Sequence, residues 1–534
     1  MKRRLLAVML AGMMGLSLLS ACGSSSSSGS SSSETSSSSE SGSASESSAE
    51  EDAETVDEVV VEKPETITVM VDGTIYTEDH HGSELWEKLE EITGIHFEVT
   101  QPDHSAYYDV VGQTIASGDW PDVMILNSTY YAGYAQEGVL WDMTDAYEGS
   151  ALQERVEAAG NSSVVEGMKI DGRLYGMPFE RGNGCITYVK QSWLDYAGLE
   201  APTTYDEYIE MLTAFSTGDP DGDGIDGNTY GVSAAGFISS ESPYVNYLPE
   251  FYQDAWPSFY QTDDGTWVDG FTEDAMKEAL QRLSSAYDAG ILDPQSLDQK
   301  TSDARNKFYS DQFGTFTYWA GTWCHELSMM LSTNGLDDDL VALAPIAEVP
   351  YYYDRTSIPW CITSTCENPE GVFEYFISAI LDGGEVEILF TYGVEGVHWS
   401  TEAETLFAGT ENEVTYEEGE FHMLENTAKP GTQYTSAHLD QMLAIVPITD
   451  DPGAESISDE AREAQEIFNE NSKTVTLVPS TDAMTQYNGD LTTKKNELIA
   501  LVVTGQMTVD EAYDEYAQEA QAWSDLIVES LNNQ

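Results

Sequence analysis

Between Thr66 and Leu126 the chain changes its hydrophobic period four times, and that alternation admits few folds. Thr66-Ile67-Thr68-Val69-Met70-Val71 is a β-rich run fit for a buried strand. Ser83 to Thr93 follows, with Leu85, Leu89 and Ile92 at helical spacing and Gly94 as a C-terminal stop. Ile95-His96-Phe97-Glu98-Val99 alternates as a second strand. Tyr107 to Ala116 is amphipathic, and Asp122-Val123-Met124-Ile125-Leu126 is a third strand. Strand, helix, strand, helix, strand is the grammar of an open α/β layer. Short helices and aromatic loops fill most of the rest, without an internal repeat. The 534 residues, 41% of them hydrophobic, suffice for a large core and more than one lobe.

Two segments precede that layer without joining it. Lys2, Arg3 and Arg4 lead into an almost wholly apolar or small stretch, Leu5 to Leu19. It is too short and too early for a membrane span, so it reads as a cleaved export signal over residues 1–22. Leu19-Ser20-Ala21-Cys22, followed by Gly23, resembles the bacterial lipobox. That resemblance implies cleavage before Cys22 and lipid on its thiol and amine; the alternative is an ordinary secretory signal with a chance cysteine. Ser24 to Lys63 is dominated by Ser, Glu and Ala and holds no aromatic residue. Such a segment buries too little apolar surface to offset the entropy of ordering, so residues 23–63 are expected to form a disordered tether. The globular body then begins near Pro64, on the outer side of the cytoplasmic membrane, held by the lipid anchor alone. No later apolar run is long enough to span a bilayer.

The net charge is −74, and only ten of the 95 acidic residues lie in the tail. The remaining 85 face 17 basic residues in the body. A body that acidic repels phosphate backbones and anionic lipid, which excludes nucleic-acid binding. Spread along every segment, the charge reads as a solvated surface rather than a patch for a cationic ligand. Beyond Cys22 there remain Cys185, Cys324, Cys361 and Cys366, too few and too scattered for a disulfide framework. Cys361 and Cys366 are near enough to bridge, and buried free thiols fit as well. Zinc-ribbon spacing is absent.

Several phrases, taken in order, carry a resemblance. Trp86-Glu87-Lys88-Leu89-Glu90-Glu91-Ile92-Thr93-Gly94-Ile95 and Ile115-Ala116-Ser117-Gly118-Asp119-Trp120-Pro121-Asp122-Val123 open it. Leu174-Tyr175-Gly176-Met177-Pro178, Trp193-Leu194-Asp195, Gly198-Leu199 and Pro202-Thr203-Thr204-Tyr205-Asp206-Glu207 continue it. Ala286-Tyr287-Asp288-Ala289-Gly290-Ile291-Leu292 and Tyr392-Gly393-Val394-Glu395-Gly396-Val397-His398-Trp399 complete it. Over residues 66–525 the chain resembles family 1 extracellular solute-binding proteins of ABC importers, in the branch of alginate-type oligosaccharide binders. The resemblance implies a two-lobed periplasmic-binding-protein-like α/β fold, with a hinge and a ligand cleft between the lobes. Leu174 to Pro178 matches the point where such chains cross over. On that reading the first lobe comprises 66–178 plus about 311–363, and the second 179–310 plus about 364–534. A hinged pair binds by closing, and the closed form shows a permease a surface that the open form lacks.

The sharpest local motif is Asp219-Pro220-Asp221-Gly222-Asp223-Gly224-Ile225-Asp226-Gly227-Asn228. Carboxylates at positions 1, 3 and 5, glycine at 6 and the Ile225 carbonyl at 7 are what an EF-hand-like calcium loop needs. Tyr230 stands where a bidentate Glu closes such a loop, so Asp226, Asn228 or a carboxylate such as Glu207 must complete a structural Ca2+ shell. The alternative is a solvated Asp/Gly turn. The body is rich in aromatic residues, which suit sugar C–H faces. Trp120, Tyr318, Trp319, Trp323, Trp360 and Trp399 sit in or near Gly/Pro-rich loops or expected crossings, with Glu395 and His398 beside the last. Each is a candidate for ligand contact or for core packing. Arg181, just past the first crossing, fits either a ligand carboxylate or hydroxyl or a surface salt bridge.

Catalytic readings find no support. Carboxylates are too abundant for any pair to point to a glycosidase. His325-Glu326 lacks a second histidine, no Gly-x-Ser-x-Gly elbow or phosphate loop occurs, and His80-His81 has no partner motif. The expectation is a monomeric, lipid-anchored substrate-binding subunit that is not an enzyme. It captures an oligosaccharide or sugar-like solute and delivers it to ABC permease subunits. The rivals are the same fold with a peptide, amino-sugar or cationic ligand, and a secreted polysaccharide-degrading enzyme.

Overall fold

Pairing of the opening strands fixes the first sheet. In the computed structural model, which describes residues 61–533 except 74, 104–105, 237–247, 337, 411–412, 425–440 and 476, Thr66–Met70 (β1) is the organising strand. It runs parallel to His96–Thr100 (β2) on one side and Val123–Ile125 (β3) on the other. Pro359–Ile362 adds antiparallel to β3, and Met177–Pro178 (β4) antiparallel to that strand. The helix Gly82–Thr93 buries Leu85, Trp86 and Leu89 and stops where Gly94 turns left-handed (φ 64°), its N–H returning to Glu90 O at 2.7 Å. The expected signal, Cys22 and all but the last three residues of the expected tether lie outside the described residues.

A second sheet forms around Cys185–Lys190 (β5), buried along its whole length. Leu340–Ala342 and Phe313–Trp319 flank it antiparallel, and Tyr230–Ser233 (β6) lies parallel to the latter. Each sheet has its own core. Ile67, Val69, Val123, Ile125, Trp360, Phe376 and Phe390 belong to the first. Ile186, Tyr188, Trp193, Phe215, Phe313, Phe316 and Ile499 belong to the second.

This partition differs from the expected one after residue 310. Phe313–Trp319 pairs with β5, so it builds the second lobe, whereas Val372, Phe376, Phe390, Trp399, Ile445 and Val446 pack in the first core. Of the segment 311–363, only Pro359–Ile362 joins the first sheet. A fully buried strand reads as a continuous apolar run whichever sheet receives it, so its sequence carries no lobe label. Among the described residues the chain therefore crosses near 179–184, 343–359 and 445–457. Helices Asp459–Glu470, Asp482–Val503, Val509–Glu519 and Gln521–Asn532 then complete the second lobe. Cys185, Cys324, Cys361 and Cys366 are all free thiols, so Cys361 and Cys366 do not bridge. No helix among the described residues is long and apolar enough to cross a membrane.

Candidate functional site

All crossings leave the first sheet at one edge. Because β1 and β3 are parallel and Pro359 enters beside Leu126 (Leu126 N–H to Pro359 O, 3.2 Å), that edge holds the carboxyl ends of β1 and β3. In the second sheet the crossings meet the start of β5 and the end of Phe313–Trp319, where Cys185 pairs with Trp319. Carboxyl ends of strands in open α/β layers are where ligands bind.

The crossing segments lie side by side as a small hinge ribbon. Ile445 N–H reaches Phe179 O at 3.2 Å and Arg181 N–H reaches Leu443 O at 2.6 Å. On the other side Arg355 N–H donates to Asn183 O (3.0 Å), and Val475 N–H donates to Asp354 O (2.9 Å). A Cβ at Gly182 would stand 1.8 Å from Arg355 O, and one at Gly184 2.1 Å from Tyr353 O. Only glycine permits strands that close.

Side chains at this ribbon combine aromatic faces with hydrogen-bonding groups. The Arg355 guanidinium lies 4.1 Å over the Trp319 ring. Trp256 sits 4.6 Å from Tyr353, which is 5.2 Å from Tyr351. Asn183 Oδ1, Asp354 Oδ1 and Arg355 Nε are buried and find no hydrogen-bond partner among the described residues. Burial pushes the Asp354 carboxyl up to about 6, against the pull of Arg181. At the first-lobe edge, Tyr107 Oη donates within reach of Met70 O (3.0 Å) and Ile125 O (2.9 Å), tying β1 to β3. Beside it Tyr108 stacks on Tyr130 at 4.9 Å, and Tyr130 lies 5.7 Å from Tyr134. All three of these rings are half-buried.

The residues nominated from sequence scatter. Arg181 and Trp319 come together at the ribbon. Tyr318, one residue earlier on the strand, points the opposite way into the second core; it meets Trp323 edge-on at 5.2 Å, with Arg305 4.8 Å over the Trp323 ring. Trp120 lies before β3, at the sheet edge opposite the crossings, its Nε1 donating to Ile115 O (2.9 Å). Trp360 is buried in the first core, 5.2 Å from Phe376. His398 is fully buried: it stacks on Tyr76 at 4.1 Å and its Nδ1 accepts from Val394 N–H, so burial holds its pKa down. Trp399 is buried with Nε1 on Gly393 O, while Glu395 is exposed. Trp120, Tyr318, Trp360, His398 and Trp399 are thus held by packing. Sequence reading missed Asn183, Trp256, Tyr353, Asp354 and Arg355. Tyr351-Tyr352-Tyr353-Asp354-Arg355 was a visible signal, lacking only a place in the fold.

The acidic loop follows the helix Tyr205–Thr217, and carboxylate oxygens of Asp219, Asp221 and Asp223 lie within 4.8 Å of one another. Gly224 N–H donates to Asp219, and Ile225 N–H to Asp223 Oδ1 at 2.8 Å. Asp221 Oδ1 is buried without a partner, and burial beside Asp219 raises its pKa. Converging carboxylates with an orphaned buried oxygen fit a divalent cation. One expected helper does not join. Glu207 sits at the other end of its helix, about 15 Å away at 1.5 Å per residue, and there it accepts from Thr203 N–H and Oγ1. Asn228 lies at the loop, its Nδ2 donating to Asp223 Oδ2 at 2.8 Å. Among the described residues neither His80 nor His81 joins a metal-ligating group.

A family profile described as bacterial extracellular solute-binding protein matches residues 79–378, more than half of the chain. The chain belongs to this family. Lipoprotein LipO of Bacillus subtilis is 26% identical over 210 residues, 38% of this chain and 40% of its own length. The fructooligosaccharide ABC transporter substrate-binding protein FusA of Streptococcus pneumoniae is 23% identical over 251 residues, 44% of this chain and 46% of its own. The matched part thus spans less than half the length of these curated relatives. Solved structures match over more. The alginate-binding protein AlgQ2, solved without calcium ion, superposes with a TM-score of 0.62 at 17% identity, covering 89% of this chain and 98% of that one. The N-glycan transport solute-binding protein NgtS of Streptococcus pneumoniae gives 0.61 at 16% identity, covering 88% and 98%. This solute-binding protein therefore has the two-domain fold of periplasmic solute-binding proteins.

Proposed function

We propose that this solute-binding protein is the lipid-anchored, extracellular substrate-binding subunit of an ABC importer, and that it takes up an oligosaccharide. One observation carries the reading: Asn183 Oδ1, Asp354 Oδ1 and Arg355 Nε are orphaned at the hinge beside the Trp319 and Tyr353 rings. Buried polar groups want partners, and sugar hydroxyls supply donors and acceptors while C–H faces cover the rings. The tyrosines 108, 130 and 134 form the opposing platform, and Arg181 tunes Asp354. Names of relatives with alginate, fructooligosaccharide and N-glycan ligands support the same class. Closure over the sugar gives the permease its signal, and the cargo leaves unchanged.

Asp219, Asp221 and Asp223, with the Ile225 carbonyl, hold a structural calcium that neutralises the loop and pins one end of the second lobe; the EF-hand wording attached to a FusA structure supports this. Cys22 carries the lipid. The test is a thermal-shift screen of purified protein against glycan and oligopeptide panels. A glycan that raises Tm in a saturable way is the expected result; stabilisation by oligopeptides alone would falsify the sugar assignment.

A further inference from the structure

A pocket of about 400 Å³ opens between the third crossing and the helix Asp459–Glu470, and none of the groups assigned to the sugar is among its described lining residues. Its first wall includes Gln441 and Asp451. Tyr392, buried in the first core, holds both: its hydroxyl lies 2.7 Å from Asp451 Oδ1 and also contacts Gln441 Oε1. Its second wall is Arg462, Gln465, Glu466 and Glu470, on a helix whose Ala461, Ala464 and Phe468 pack in the second core. The two walls thus belong to different lobes, and the space between them depends on the hinge.

The lining selects its occupant. Gln465 is 4% exposed; its Nε2 donates to Asn469 Oδ1 at 2.9 Å, while its Oε1 is buried without a donor. Asp451, Glu466 and Glu470 outnumber Arg462, whose guanidinium already bonds Ala454 O. Among the described residues no aromatic ring lines the space, so they offer a sugar face nothing to lie on. These carboxylates do not converge as metal ligands do; among the described residues only Asp219, Asp221 and Asp223 form such a group. A short chain with a donor-rich ammonium at each end fits this acidic, acceptor-rich pocket. We propose that the pocket is a second ligand site, for a small aliphatic diammonium, and that its occupancy biases the hinge. A ligand gripping walls from both lobes binds one lobe arrangement better than the other, and so shifts their populations.

The test is calorimetric titration of the full-length protein with 1,4-diaminobutane at physiological salt, with small-angle scattering of the saturated sample. Saturable one-site binding is expected, weakened about tenfold by Gln465→Leu and by Glu466→Gln, together with a changed radius of gyration. Glu466 is exposed, so its variant keeps the test open should the Gln465 variant misfold. No saturable binding at millimolar diamine overturns the proposal. So does equal binding by wild type and both variants, which is diffuse attraction to a body of charge −74. An unchanged radius of gyration removes the hinge coupling. None of these outcomes bears on the carbohydrate reading, which is tested with glycans.

Discussion

The two lobes offer similar sheet edges to the hinge but hold themselves together by different forces. The first core is aromatic: Trp360 meets Phe376 edge-on at 5.2 Å and Phe390 at 6.2 Å, and Trp86 meets Phe390 at 6.0 Å. The second core holds lysine–aspartate pairs with one or both partners buried, Lys190–Asp311 at 2.5 Å, Lys307–Asp293 at 2.5 Å and Lys495–Asp269 at 2.6 Å. Among the described residues the first lobe has no such buried pair. Apolar packing is non-directional, whereas a buried pair is tolerable only in one geometry with its remaining valences filled. Lys190 shows the consequence: its Nζ bonds Phe308 O (2.9 Å) and Asp311, fastening the end of β5 to the segment that leads into Phe313–Trp319. The lobe carrying Trp319 is thus registered by charge, and the other by shape.

Breaking that contrast outright calls for Asp269→Ala. Asp269 also accepts from Tyr516 (2.8 Å) and Ser524 (2.7 Å), and its loss leaves Lys495 buried without a counter-charge. We expect about 3–5 kcal/mol of destabilisation in urea unfolding followed by tryptophan fluorescence; a loss no larger than a surface pair gives would erase the difference between the lobes. Chelation comes next. With calcium present at about a hundred times its Kd, removing it should cost about 2.7 kcal/mol, read as a lower Tm that Asp221→Asn reproduces and EDTA no longer deepens. If the wild-type Tm ignores EDTA, the loop is a solvated turn.

Trp319→Ala should cost about 2 kcal/mol of glycan affinity in calorimetry while leaving Tm nearly unchanged. The reverse pattern, a large Tm loss with affinity intact, would make Trp319 a core residue like Trp360. The pH response separates the lobes more finely. Each lobe holds a glutamate that burial pushes up from the ordinary 4.5, Glu250 in the second to about 7 and Glu387 in the first to about 8. The folded state therefore keeps a proton that the unfolded chain has released, so the stabilisation is complete below pH 4.5 and is lost as pH rises. Each group contributes a slope of at most about 1.4 kcal/mol per pH unit. The Glu250 contribution should level off near pH 7, while that of Glu387 continues toward 8. Glu250→Gln and Glu387→Gln should each flatten only their own window in pH-dependent unfolding. Smallest of all, Trp120→Phe should change glycan affinity by under about 0.5 kcal/mol, since Trp120 stands at the wrong end of β3.

Legibility in the sequence followed the range of the interaction. The strands and helices between Thr66 and Leu126 lie within two residues of their expected bounds, because period, Gly94 and the alternation of Phe97 with its neighbours act over a single turn or pleat. The acidic loop was readable because Asp219, Asp221 and Asp223 are brought together by the turn that they themselves occupy. The residues proposed to meet the ligand were not. Trp319 and Trp360 look alike in sequence, and so do Arg181 and Arg355.

By itself, then, the chain's order of residues settled which segments bury a face, where helices stop and where three carboxylates meet, since each depends on neighbours a few positions apart. Tertiary structure alone decided that Phe313–Trp319 serves the second sheet and that Val372, Phe376, Phe390 and Trp399 serve the first core. It also decided that Trp319 turns to Arg355 while Tyr318 turns inward. An apolar run records that it will be buried; what it is buried against is written in partners hundreds of residues away.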